Sequence, residues 1–328
     1  MGTGARLVAA IATIALVGAG CASSSISPAP SVGVSPAGSF GGSVAGGSLD
    51  PSVPSVSVIV IADGVQGGIG LWRFQAPDKW TAVGATPGAT AVAGTADGVV
   101  LVAGRSVELR SATDLTRTAA TINLEWPAAA SFDPVVAVDR APGGKLALIT
   151  SDGSSADYAV ATASGTVTAL QPAPTQSFTP LIAWLDDTRL LVLSTDNQQV
   201  SRLAVVDTAA ATMTPISTIG GIDSFAVSAD RMTLVAATEG DILVAPVSEW
   251  IAGAQPQKIA SVGASSVIWG LALDKNGTHL AMLSGTESAD GRVGNIHEVG
   301  YAKAGSDWSQ SFDAPAPITT ARGQAWVS

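Results

Sequence analysis

From about residue 55 onward the apolar positions fall in short unbroken runs: "GVVLVAG" from Gly98, "KLALITSDG" from Lys145, "RLLVLSTDN" from Arg189, "TLVAATEGD" from Thr233 and "HLAMLSGTE" from His279. Runs rich in Val, Leu, Ile, Ala and Thr, stopped on both sides by Gly, Asp, Asn or Ser, predict strands buried on both faces. A branched apolar residue recurs at the same point of each run, at Val100, Leu146, Leu190, Leu234 and Leu280, at intervals of 46, 44, 44 and 46 residues. A period in the forties, built from four short strands, is the sequence signature of a propeller blade.

Each run follows another apolar strand and a tight turn, as in "FAVSADRMTLVAAT" (Phe225 to Thr238) and "LALDKNGTHLAML" (Leu271 to Leu283). Asp97-Gly98, Gly143-Gly144, Asp186-Asp187 and Asn276-Gly277 supply the left-handed or locally bonded backbone that such turns need. Third and fourth strands follow, read in one unit as "VSRLAVVD" (Val200 to Asp207) and "MTPIS" (Met213 to Ser217). After "ILVAPV", the stretch Ser248 to Gly253 predicts one helical turn with Ser248 as its cap.

Complete units begin near Thr90, Asp133, Thr179, Ile222 and Ser266. Ahead of them "SVSVIVIADG" (Ser55 to Gly64) carries Val58 at the recurring position, 42 residues before Val100, and "GLWRF" and "WTAVG" read as third and fourth strands. That unit lacks its opening strand. The terminal "GQAWVS" (Gly323 to Ser328), in which Ala325–Ser328 is similar to Phe225–Ser228, is expected to supply it by pairing with Ser55 to Ala62. The expected fold is all-β: a six-bladed β-propeller of four-stranded antiparallel blades over residues 55–328, its ring closed by the C-terminal strand in the N-terminal blade. A seventh blade, between Thr86 and Asp133 or after Trp308, is the alternative.

The strand–turn–strand core Ser228-Ala229-Asp230 with Leu234 resembles the six-bladed TolB-like and WD-like propellers, including the propeller domain of LpqB-type lipoproteins. The resemblance runs from about residue 55 to the end and implies architecture. The Trp-Asp signature of WD repeats and the full Ser-Pro-Asp-Gly turn of the TolB type are missing, and one fold hosts many functions.

The first fifty residues are of another kind. Arg6 precedes an uncharged run from Leu7 to Val17 and then Gly18-Ala19-Gly20-Cys21. This has the form of a secretory signal over residues 1–20, and the small residues before the chain's single cysteine resemble the lipobox of bacterial lipoproteins, with Gly18 where that family usually has Leu. The resemblance implies cleavage before Cys21 and a diacylglyceryl group on its sulfur, anchoring the protein outside the cytoplasm; two acyl chains hold a protein stably on a membrane. An ordinary secretory peptide and an uncleaved anchor are the alternatives. The Ser, Gly and Pro-rich segment up to Pro54 reads as a flexible tether, so residues 21–54 join anchor to propeller.

Composition narrows the chemistry. The chain has 16 basic and 26 acidic residues, net −10, and loss of Arg6 with the signal leaves −11. With no contiguous basic patch, nucleic-acid binding by phosphate neutralisation is excluded as an expectation. The turns joining second to third strands are expected to carry Asp63 and Gln66; Arg105; Asp152 and Asp157; Asp196, Asn197 and Gln198; Glu239 and Asp241; and Glu287, Asp290 and Arg292. Eight carboxylates against two arginines make one acidic face, readable as a surface for a basic peptide, a cation or a positively charged partner, or as charge that keeps a secreted protein soluble.

Trp126, in the segment linking two blades, is either an aromatic platform on that face or a packing residue. Trp184, Trp269 and Trp326 in first strands, and Trp72 in a third strand, are expected to wedge between blades. The two histidines, His279 and His297, are expected in one blade as possible neighbours, too few for a zinc site. "GVQGGIG" (Gly64 to Gly70) reads as a loop between strands rather than a phosphate loop. No catalytic constellation or cofactor is expected. The reading is a monomeric, lipid-anchored scaffold that binds a protein, peptide or envelope component; a hydrolase or lactonase using carboxylate-bound calcium is the alternative.

Overall fold

Each of the recurring apolar runs becomes the second strand of a four-stranded antiparallel sheet. The computed structural model describes residues 57–65, 68–75, 79–86, 88–111, 113–127, 134–151, 155–174, 181–198, 200–238, 241–261, 267–273, 279–287, 293–303, 310–313 and 321–327, with side chains mainly between residues 82 and 259. Sheet 1 holds β1 (Ser57–Val65), β2 (Gly68–Gln75) and β3 (Lys79–Ala85). Sheet 2 is β4 (Ala89–Thr95), β5 (Gly98–Ala103), β6 (Ser106–Ser111) and β7 (Asp114–Asn123), and sheet 3 is β8 (Val135–Arg140), β9 (Leu146–Ser151), β10 (Ala156–Ala161) and β11 (Val167–Ala169).

Sheet 4 is β12 (Ile182–Trp184), β13 (Arg189–Thr195), β14 (Ser201–Asp207) and β15 (Thr212–Pro215). Sheet 5 is β16 (Ile222–Val227), β17 (Thr233–Thr238), β18 (Asp241–Pro246) and, after the short helix α1 (Val247–Ile251), β19 (Gln257–Ser261). Sheet 6 is β20 (Val267–Leu273), β21 (His279–Glu287), β22 (Val293–Lys303) and β23 (Gln310–Asp313); β24 (Ala321–Val327) then lies beside β1 and completes sheet 1. Strands follow one another across each sheet, so every sheet is a meander, and sheet 1 alone draws on both ends of the domain. The chain is an all-β propeller of four-stranded antiparallel blades.

The packing explains why the second strands read as solid apolar runs. A strand's side chains alternate between its two faces, and here each face meets a different neighbour. In β5, Val99 and Leu101 pack toward sheet 1 with Leu71, while Val100 and Val102 pack toward sheet 3 with Leu146 and Leu148. In β9, Ala147 and Ile149 turn instead to Trp184, Leu190 and Val192 of sheet 4. Leu191 and Leu193 of β13 meet Leu234 and Ala236, and Val235 and Ala237 of β17 meet Leu271, Leu273 and Leu280. The core is thus a succession of slabs between sheets, and Trp184, fully buried, fills the slab between sheets 3 and 4 as a wedge.

The recurring residues keep one register. Leu146, Leu190, Leu234 and Leu280 stand opposite Arg140, Trp184, Val227 and Leu273, and Val100 opposite Ala93. In sheet 1, Val58 stands opposite Trp326. The terminal strand therefore aligns with Ala183-Trp184, one residue away from the expected alignment with Phe225–Ser228, in which Val327 would face Val58. It also begins earlier, at Ala321, with a register shift between Ile61 and Ala62. A slip of one residue exchanges the two faces of a strand, which is why the Ala-Trp match is the physically relevant one.

Local turns obey side-chain chemistry. In the Ser228–Thr233 turn the Thr233 amide donates to Ser228 Oγ at 2.9 Å, which in turn donates to Asp230 Oδ1 at 2.6 Å, and the Met232 amide closes on Asp230 Oδ1 at 2.9 Å. The helical turn differs from expectation. Pro246 occupies the cap position of α1 without a side-chain cap, and Ser248 lies inside the helix, where its carbonyl accepts the Ala252 amide. Trp250 holds the helix down: its buried ring donates Nε1 to the Leu234 carbonyl at 3.2 Å. That burial, absent from the cap reasoning, positions the helix.

Sheets 2 and 3 share one further tie. Beyond β7, the Glu125 amide donates to the Gly165 carbonyl at 2.8 Å and the Glu125 carbonyl accepts from Val167 at 3.0 Å, a parallel bridge between blades. Gly165 has φ of 102°, and a Cβ there would collide with the Asn123 carbonyl. Only glycine allows that approach.

Candidate functional site

A propeller blade puts its first-to-second-strand turns on one face of the disc and its second-to-third-strand turns on the other; these are called lower and upper below. On the upper face, Arg105 is exposed in the β5–β6 turn and Asn197 is exposed in the β13–β14 turn beside Asp196. Asp196 is held by its own turn: Oδ1 accepts the amides of Gln198 at 2.8 Å and Val200 at 3.0 Å, and Oδ2 accepts from Arg202 Nε at 3.0 Å. The Arg202 hydrogen bond, followed by the backbone amides, holds the Asp196 carboxyl below its ordinary range. Arg202 also donates to the Thr218 carbonyl at 2.6 Å, fixing it between the turn and the next connection.

Asp241 opens β18 opposite Thr238 and makes an ion pair with Lys258 of β19 at 2.8 Å. The upper face is therefore less acidic than the count over its turns implies, because Arg202 and Lys258, in third and fourth strands, are brought to Asp196 and Asp241. Several expected loop residues lie in strands: Asp63 is in β1 opposite Ile69, Asp157 is exposed in β10 opposite Thr150, and Glu287 ends β21. Strands continue to within one or two residues of the turn, so the turn itself is shorter than the polar run. Asp152, Glu239, Asp290, Arg292 and Cys21 lie outside the described residues.

Trp126 is half-buried, its ring packed against the slab of Ala91, Val107, Leu124 and Val167. His279 and His297 do not stand together. His279 faces Lys303 across the β21–β22 pair, whereas His297 falls between the partners of Ser284 and Gly285, about 17 Å further along at ~3.3 Å per residue. Tyr158 is no proton carrier near neutrality, since burial pushes its phenol up to about 12. Among the described residues no group of three or more His, Cys, Asp or Glu side chains is placed to hold a metal ion. No helix among them is long and apolar enough to cross a membrane.

The lower face carries the denser polar chemistry, which sequence reasoning did not single out. The Gly143 amide donates to Asp187 Oδ1 at 2.6 Å and Lys145 Nζ to the Asp187 carbonyl at 2.9 Å, tying the turns of sheets 3 and 4. Next to them Asp186 accepts the amides of Thr188 and Arg189 and pairs with Arg189 Nε at 2.6 Å. Partial burial raises the Asp186 pKa, but these hydrogen bonds outweigh it and bring the carboxyl down to about 2. A depressed folded-state pKa adds stability above the ordinary carboxylate pKa and loses it as pH falls through the folded value. Acid titration from pH 5 to 2 should accordingly show a loss of stability that Asp186→Asn makes shallower, by a small amount at this half-exposed site; identical acid curves for the two proteins would contradict it. The ion pair of Asp139 with Arg231, which joins sheet 3 to sheet 5, is also on this face.

The fold and its two faces define the class, a β-propeller of four-stranded blades; comparison with known proteins adds fold neighbours and no more. No known family matches the sequence, and no curated protein matches it. Among solved structures, TolB from Acinetobacter baumannii is similar at a TM-score of 0.59 and 10% identity over 83% of this chain, which spans 66% of that protein's length. The putative TolB from Agrobacterium tumefaciens is similar at a TM-score of 0.54 and 13% identity, over 82% of this chain and 92% of that one. At such identities the likeness is one of fold.

Proposed function

We propose that the protein is a non-catalytic, lipid-anchored extracytoplasmic propeller that binds a protein, peptide or cell-envelope component on its upper face. Cys21 carries the lipid, residues 22–54 form the tether, and the sheets close into a six-bladed ring with β24 as the first strand of sheet 1. The observation that carries the reading is that Arg105, Asp196, Asn197 and Asp241, from three different blades, come to turns or turn-proximal positions on one face. Their polar groups are anchored from behind: Asp196 and Asp241 have cations within their own blades, which pre-orders a contact surface without leaving a bare cluster of charge. Likeness to propellers named TolB and the lipobox-like run before Cys21 are in keeping with a scaffold held outside the membrane, as in the LpqB-type lipoproteins.

The test is a crosslinking pull-down from envelope fractions with the full-length chain, beside a variant carrying Arg105→Glu and Asn197→Lys. Both changes are at exposed turn positions, so the melting curve should be unchanged. A defined set of captured proteins or wall fragments, lost in the variant, is expected; equal capture by both proteins overturns the upper-face reading. Fatty-acid labelling that persists in Cys21→Ser overturns the anchor.

A further inference from the structure

Among the described residues the exposed large apolar side chains are Met232, at 65%, and Ile251, at 37%, and both belong to the lower end of sheet 5. In the β16–β17 turn Arg231 has φ of 62° and sends its guanidinium to Asp139, while Met232 beside it is turned to solvent. The Met232 carbonyl accepts the Val247 amide at 2.9 Å, so this turn abuts the start of α1. Ile251 follows four residues later, one helical turn along the same face as Val247. Pro246, Ala252 and Ala254 are exposed as well, and from Pro246 to Gln257 the only charged residue is Glu249. Trp250, buried beneath the helix, backs this apolar corner.

The same face receives the chain that precedes the propeller. Second strands run from the lower face to the upper, and β1 is the second strand of sheet 1: Val58 stands opposite Trp326 and Ser57 opposite Val327, at the end where Leu234 stands opposite Val227 beside the lower turn of sheet 5. The segment before Ser57 therefore joins the propeller at its lower face, the face of Met232 and Ile251. With Cys21 lipidated, residues 22–56 are all that separate this face from the bilayer, and a flexible chain of that length has a root-mean-square reach of roughly 30 Å. Such a tether holds the face at an effective concentration of membrane far above that met by a free protein, so a patch too small to bind lipid alone can engage it.

We infer that the lower corner of sheet 5 is a membrane-docking surface, at which Met232 and Ile251 enter the lipid interface while the anchor holds the propeller on the bilayer. Lipid is the occupant that fits: the corner is apolar, carries a single carboxylate, and lies on the face where the tether arrives, and apolar side chains on a short helix are what an interfacial contact inserts. The inference rests on the lipid-anchor reading and deepens it, because a propeller seated on its lower face presents the upper face outward to a partner.

Amide hydrogen exchange of the full-length chain tests this, with the protein held through its Cys21 lipid on vesicles of equal parts phosphatidylethanolamine and phosphatidylglycerol. The amides of Ala252, Gly253 and Ala254 bond to the carbonyls of Ser248, Trp250 and Glu249. They are expected to exchange about fivefold slower than in Cys21→Ser free in solution, because so short a helix frays unless its face is covered. Gln198 and Val200, whose amides bond Asp196 on the upper face, should keep their rates. Met232→Asp with Ile251→Asp, both at exposed positions, should leave the melting temperature unchanged, stay on the vesicles through Cys21 and lose the slowing. Equal rates on and off the vesicle at Ala252–Ala254, equal slowing at Gln198 and Val200, or slowing retained in the double variant overturns the docking surface. Absence of fatty acid on Cys21 would instead remove the anchor reading; the Cys21 thiol is then coupled to a maleimide lipid in the same vesicles, and the same comparison of the two faces decides the docking surface by itself.

Discussion

Removing Ala321–Ser328 is expected to destabilise the propeller by roughly 4–6 kcal/mol and to promote self-association. The magnitude comes from the backbone alone. Six residues of β24, between Ala321 and Val327, are matched to β1 residues from Ser57 to Ala62, and a backbone hydrogen bond contributes about 1 kcal/mol net. The qualitative change comes from the edge: without β24, β1 presents a free row of amide and carbonyl groups at the inner side of sheet 1, and such an edge templates pairing with another chain. Denaturant midpoints and size-exclusion profiles of the full-length and truncated chains give the measurement. A truncated protein with an unchanged midpoint and elution volume would mean that the pairing contributes nothing and that the ring is held elsewhere.

Asp139→Ala should cost about 3–5 kcal/mol, the usual penalty for leaving one member of a buried ion pair uncompensated. Two groups are affected at once: the Arg231 guanidinium loses its counterion, keeping only the Arg140 carbonyl, and the Trp184 amide loses its acceptor. Asp139→Asn should cost less, because it keeps an acceptor for the amide while removing the charge. The double variant Asp139→Ala with Arg231→Met should be more stable than the sum of the single changes predicts, since it no longer buries an unpaired cation. Denaturation midpoints of the four proteins close the cycle, and strict additivity would show that the two side chains do not interact in solution.

Much of the fold could be read from the residues. Runs such as Leu190–Leu193 are apolar at every position because alternate side chains serve two different slabs, and that double burial is a property the sequence displays openly. The spacing of Val100, Leu146, Leu190, Leu234 and Leu280 is legible for the same reason: each must stand opposite a first-strand residue in its hairpin. The match of the terminal Ala-Trp to the first blade was legible too, although its register was misjudged by one residue. The helix cap was misread because Ser248 has the right chemistry for a cap, whereas the position of α1 is set by the burial of Trp250 under it.

The polar architecture was much less visible. Counting charges over the upper turns gives an acidic face, but a count cannot know that Arg202 folds back on Asp196 across a hairpin or that Lys258 reaches Asp241 from the neighbouring strand. His279 and His297 seemed a pair because they share a blade, yet antiparallel register carries them to distant points of it.

By itself the sequence determined the strands and their period, because these follow from side-chain alternation and turn chemistry within a few tens of residues. It determined the pairing of the two ends of the domain because the first repeat unit lacks the opening strand that the terminal run supplies. Which charges meet was decided by the tertiary structure alone. Asp139, Trp184 and Arg231 are brought together by the way successive blades pack around an axis. That meeting depends on the angle between sheets and on one left-handed turn, and neither leaves a periodic trace in the chain.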